Sequence, residues 1–99
     1  MVAVIVRHQV RDYAAWKPIF DEHGEVRRRH GATGHRLYRV AGSPTDLIIV
    51  NQFPSIEQAQ AALDDPSLRE AMARAGVEGT PDITIVDEVE VLSYEPAAV

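Results

Sequence analysis

Cysteine is missing from the 99-residue chain, so neither disulfides nor thiolate chemistry can feature. No apolar run approaches the roughly 20 residues that span a bilayer. No leader of basic, apolar and small residues precedes the apolar strand that begins at Val2. A cytoplasmic location and no membrane partner are the expectations. Positive charge is in short supply: 10 Lys and Arg face 15 Asp and Glu, for a net charge of −5. The one basic cluster, Arg27 to His30, suits a helix C-terminus, so nucleic acid is not expected as a partner. Repeats, linkers and low-complexity segments are absent as well. What remains, 45% hydrophobic and 25% charged residues, is ordinary for one soluble domain of residues 1–99. A chain this small stands to gain from oligomerisation.

The stretch from Asp12 to Gly31 organises the rest. At 3.6 residues per turn, Trp16, Ile19, Phe20, His23, Val26 and His30 share one side. Asp12 is placed to cap the start and Gly31 to close the end in a left-handed conformation. Pro18 lacks a donor and crowds the carbonyl of Ala14, so a short turn over 13–17, a kink and then the main helix are expected. His23 lies at the centre of the apolar arc, and a polar ring there needs a partner.

Val2 to Val10 reads as a β-branched strand whose even positions, Val2, Val4, Val6 and Val10, form one face interrupted by His8. Thr33 to Val40 and Leu47 to Phe53 read as a hairpin around Gly42-Ser43-Pro44-Thr45. Ser55 and Gln58 make a capping box for a second helix, with Ile56, Ala59 and Leu63 inward. Asp65 and Pro66 restart that helix, Leu68, Ala71, Met72 and Ala75 continue its buried stripe, and Gly76 ends it. A loop through Gly79-Thr80-Pro81 then leads to a last strand, Ile83 to Leu92, with a loose tail after Tyr94.

The order βαββαβ predicts an α+β, ferredoxin-like fold: an antiparallel sheet with both helices on one face, the last strand beside the first and the third on its other side. Yet VAVIV, LIIV and ITIV are apolar on both parities, which predicts that both sheet faces are buried. Nothing else in the chain covers the second face. A homodimer packed sheet against sheet is the economical answer.

With this order in place the chain resembles the dimeric α+β barrel superfamily, and most closely small proteins grouped with antibiotic-biosynthesis monooxygenases and labelled cyclases. The resemblance rests on Asp12-Tyr13 with Trp16 and Phe20, on Gly31-Ala32-Thr33-Gly34, and on Leu68-Arg69-Glu70-Ala71-Met72 running into Ala75-Gly76-Val77. It covers nearly all of residues 2–92. It implies a pocket within each protomer, between helices and sheet, but no single activity, because that superfamily hosts many. Its heme-degrading members take their ligating histidine from the second helix, and 55–75 has none, so heme is not expected. Its quinone-forming oxygenases use an Asn–Trp–Tyr set. Asn51, Trp16 and Tyr38 are of those types, without a motif-to-motif match.

The residues themselves offer several candidates. Asp87 interrupts the apolar alternation Ile83, Ile85, Val89, Val91 as His8 interrupts its own strand. A neighbouring pair would raise the histidine pKa and suit a general base, with His23 above it; the plainer alternative is a structural polar pair. His23 with Trp16 and Phe20 could line a pocket for a flat ligand, or be satisfied inside the core. Tyr38, beside Arg36 and Arg39, could anchor a substrate, Asn51 could polarise a carbonyl, and Met72 faces the same space or simply fills core. His30 and His35 read better as a dipole-assisted cation and a solvated strand residue. The four histidines lack close ligand spacing, so no metal is expected, and no cofactor either. Two functions follow. One is a small enzyme acting on an aromatic or polyketide-like ligand by acid–base chemistry, through cofactor-free oxygenation or cyclisation and isomerisation, using His23, His8 and Asp87. The other is a non-catalytic ligand-binding or sensing dimer.

Overall fold

β-Branched residues fill Val2–Val10 (β1), the central strand from which the sheet is built. In the computed structural model, which describes residues 1–97, β1 pairs antiparallel with Asp46–Phe53 (β3) on one side and Val77–Asp87 (β4) on the other. Gly34–Arg39 (β2) adds to the outer edge of β3, so the sheet order is β2-β3-β1-β4. Between the strands run Tyr13–Glu22 (α1), Gly24–Arg29 (α2), Ile56–Asp64 (α3) and Pro66–Arg74 (α4). This is the expected α+β, ferredoxin-like arrangement. None of the described helices is long and apolar enough to cross a membrane.

Local chemistry sets most boundaries. Asp12 accepts from the Ala14 amide, Ser55 from Gln58 and Asp65 from Ser67, so the starts of α1, α3 and α4 each satisfy an otherwise orphaned donor. Gly31 and Gly76 close the helical segments with φ of 97° and 78°, a region unfavourable to any side chain.

The long first helix breaks in a different place from the one its proline suggested. α1 runs straight through Pro18, and the interruption falls at His23. A competing donor seven residues beyond Phe20 accompanies the break. Arg27 Nη2 donates to the Phe20 carbonyl at 2.9 Å, occupying the acceptor that a continuing helix would offer to residue 24.

The last strand is also displaced from expectation. It starts at Val77 rather than Ile83, because a register shift opposite His8 absorbs Gly79, Thr80 and Pro81. It stops at Asp87, which pairs with Val2 at the very start of β1; residues 88–97 form neither strand nor helix. The Val89–Leu92 stretch has strand chemistry but no neighbour to pair with, and Val89 is 94% exposed. Of the tail expected to be loose, residues 98 and 99 lie outside the described residues.

The even positions of β1 meet Leu47, Ile49 and Phe53 of β3 and Trp16 of α1 in the core. Ala59 and Ala75 complete it, whereas Ile56, expected inward, is 51% exposed. On the opposite face Ile5, Ile48, Val50 and Val86 are half-buried, beside a two-pronged ion pair of Arg7 with Asp46 (2.8 and 3.2 Å).

Candidate functional site

A cavity lies between the sheet and the helices. β1 and β3 give it a floor of Val4, Val6, His8, Ile49, Asn51 and Phe53. α1 and α2 contribute one wall, and the alanine-rich faces of α3 and α4 the other. The small side chains Ala59, Ala62, Ala71 and Ala75 stop short of the sheet, which leaves about 80 Å³ of room for the centres of water-sized molecules. That is space for several waters or part of an organic ring.

Aromatic rings follow one another along α1, and Trp16 and Phe20 line one side of the cavity. Tyr13 and Trp16 lie 5.8 Å apart, Trp16 stacks on Phe20 at 4.8 Å, and the Arg27 guanidinium lies 3.8 Å from the Phe20 ring centre. The i, i+4 spacing of Trp16 and Phe20 is what stacks them. His35 meets the Phe20 edge at 5.0 Å, so it belongs to the surroundings of this wall rather than to a wholly solvated strand.

His8 is the most unusual residue of the site. It is 6% exposed, sits edge-on to Trp16 at 5.8 Å, and neither ring nitrogen has a hydrogen-bond partner. Asn51 Oδ1 is buried and unpartnered in the same way. A buried polar atom without a partner costs roughly 1–3 kcal/mol. Both orphans line a mostly apolar cavity, where a bound molecule would supply what they lack.

The expected His8–Asp87 pair does not form. Asp87 is paired with Val2, six positions from His8 along β1, or about 20 Å at 3.3 Å per residue. It is exposed and outside the cavity lining. Without that carboxylate, burial dominates and the His8 pKa moves down rather than up, against a weaker opposing field from Asp46. His8 is therefore neutral at neutral pH. Tyr38 is likewise outside the cavity. It pairs with Ile48 on the far face of the sheet and stands 48% exposed, because odd and even positions of β2 point to opposite sides.

His23, Trp16, Phe20, Asn51 and Met72 do line the cavity. His23 Nε2 lies 2.9 Å from Ser67 Oγ. The Ser67 hydroxyl donates to Asp65 Oδ1 at 2.7 Å, so its oxygen accepts from His23, which carries its proton on Nε2. Asp65 Oδ2 in turn accepts from His30 Nε2 at 2.9 Å. His30 thus has a carboxylate partner that sequence distance concealed. Hydrogen bonds from His30 first, and then from Ser67, hold the Asp65 carboxyl far below the usual carboxylate range. Burial, followed by the field of Arg27, lowers the pKa of His23 and of His35.

Arg27 is the site residue that the sequence concealed. Its position in a basic run suggested only a helix-dipole role, but its half-buried guanidinium lines the cavity. Gly24 eases this placement, since a Cβ there would come within 3.2 Å of Arg27 Nη2. A glycine three positions before an arginine was the one available sign. Among the described residues no group of three His, Cys, Asp or Glu side chains could hold a metal ion.

The sequence matches no protein-family model and no curated protein. Its fold is shared with solved structures. SnoaB, a cofactor-independent oxygenase from Streptomyces nogalater, aligns over 94% of this chain and 97% of its own with a TM-score of 0.77 at 16% identity. An antibiotic biosynthesis monooxygenase aligns over 91% of this chain and 100% of its own, with a TM-score of 0.69 at 15% identity. Rv0793 from Mycobacterium tuberculosis covers 93% and 98%, with a TM-score of 0.69 at 21% identity. At these identities the likeness is one of fold, the fold of antibiotic biosynthesis monooxygenase-like proteins.

Proposed function

We propose that this protein binds a flat aromatic molecule in the cavity and transforms it by proton abstraction, with cofactor-free oxygenation as the reaction. The observation that carries the proposal is His8: a neutral, buried imidazole with both nitrogens unpartnered, beneath a wall of stacked aromatic rings. A neutral imidazole can accept a proton from an acidic C–H or phenolic O–H held against that wall. Asn51 Oδ1 would take a hydrogen bond from a ligand hydroxyl. His23, protonated on Nε2, keeps Nδ1 as a second acceptor on the helix side.

In the oxygenation, an aromatic-flanked CH₂ loses a proton to histidine and the resulting carbanion passes electrons to dioxygen. One oxygen atom stays as a ketone, and the other leaves as water with the two hydrogens. The fold shared with a cofactor-independent oxygenase supports this branch.

Anthrone is a suitable probe, and Trp16, the only tryptophan, reports on the cavity. The expected result is quenching of Trp16 fluorescence, oxygen uptake and formation of anthraquinone. Turnover should fall roughly tenfold or more in His8→Ala, the range for loss of a positioned base. Quenching without oxygen uptake would make the protein a ligand-binding one instead. No quenching would remove the cavity as the binding site.

A further inference from the structure

Arg27 indicates the charge of the ligand. Its guanidinium carbon lies 3.8 Å from the Phe20 ring centre, and Nη2 donates to the Phe20 carbonyl. Among the described residues no carboxylate comes within ion-pair distance of it. The acid that acts on it most, Asp21, is already held by Lys17 at 2.6 Å. Building the same chain with a neutral residue here would be easier, because an unpaired cation at a half-buried position is costly.

Resting on the reading of the cavity as an aromatic-binding site, we propose that Arg27 anchors the carboxylate of a planar aromatic acid whose rings lie along Trp16 and Phe20. The guanidinium is a planar fork that takes a carboxylate through two parallel hydrogen bonds, and its unused N–H groups are free for that purpose. The contact with Phe20 and the bond to its carbonyl hold the fork beside the ring, and Gly24 leaves room at Nη2. Arg27 retains its proton at neutral pH even though burial lowers its pKa to about 10. The nearby His23 and His35 rings are biased towards their neutral forms, so the attraction for an anion centres on Arg27.

The test compares anthraquinone-2-carboxylate with its uncharged carboxamide at neutral pH, read by Trp16 fluorescence in the wild-type protein, Arg27→Gln and Arg27→Lys. The wild type should prefer the acid by roughly tenfold or more, the scale of a charge-assisted hydrogen bond. Arg27→Gln should weaken the acid far more than the carboxamide and so abolish the preference, and Arg27→Lys should retain only part of it. Equal binding of acid and amide by the wild type, or an undiminished preference in Arg27→Gln, would overturn the anchor and leave the aromatic cavity intact. Failure of both probes to quench Trp16 would overturn the anchor and the cavity together. Should Arg27→Gln melt well below the wild type, the wild-type comparison and Arg27→Lys still decide.

Discussion

His23 and Ser67 are joined across the cavity by a hydrogen bond of 2.9 Å, and the bond runs in one direction. The Ser67 proton is committed to Asp65, so Ser67 can only accept. A residue at the α1–α2 break is thereby tied to the first turn of α4. The tie fixes which nitrogen of His23 is a base.

Ser67→Ala should release that choice. In the wild type, nitrogen-15 chemical shifts should show His23 protonated on Nε2. In Ser67→Ala they should move towards a mixture of tautomers with the fold retained. Unchanged shifts in the variant would show that Ser67 does not set the tautomer.

His8 should be a residue kept at the expense of stability. His8→Leu removes two unpartnered nitrogens from a mostly apolar cavity and should leave the protein as stable or stabilise it by about 1 kcal/mol, while lowering the proposed oxygen uptake with anthrone. The pH dependence follows from the lowered pKa of the folded state. Neutral His8 favours folding above the ordinary histidine value of about 6.5, and that contribution fades as pH falls through the lower folded value. His8→Leu should lack this component. Melting curves of both proteins between pH 5 and 8 measure it, and identical slopes would argue against a buried neutral ring.

Asp65 should govern acid sensitivity at the other end of the network. Its carboxyl is lowered by His30 and Ser67, so ionised Asp65 stabilises the fold above the ordinary carboxylate pKa of about 4. The contribution is lost as pH falls below that value. Asp65→Asn keeps a capping side chain but removes the charge, so wild type and variant should differ in melting temperature near pH 6 and converge in acid. A difference that persists undiminished at low pH would point to the cap alone.

The half-buried apolar residues on the outer sheet face, with Val89, Val91, Leu92 and Tyr94 exposed in the tail, support a homodimer. Sedimentation at micromolar concentration should give twice 10.9 kDa. Truncation after Asp87 should weaken the association. A folded monomer in the intact chain would count against the expected sheet-to-sheet dimer.

Helix starts, glycine closures and the faces of β1 and β3 were legible because each depends on a few neighbouring residues. Asp12, Ser55 and Asp65 cap through amides two or three positions away, and alternation places His8 on the buried face from the strand pattern alone. The order of the strands was legible too, because few topologies suit βαββαβ. The histidine's surroundings were not. Which carboxylate meets which histidine depends on register, and the antiparallel register of β1 with β4 puts Asp87 beside Val2 and residues 79–81 beside His8.

Local sequence therefore determined the starts of α1, α3 and α4, the strand cores and the buried face of β1, since capping, glycine conformation and period-two alternation act over a few residues. Tertiary structure alone decided that Arg27 bends back over Phe20 near the end of α1, that Asp65 meets His30 across 35 positions, and that His8 faces a cavity without a partner. Those contacts depend on how helices settle on a twisted sheet, and no short-range pattern carries that information.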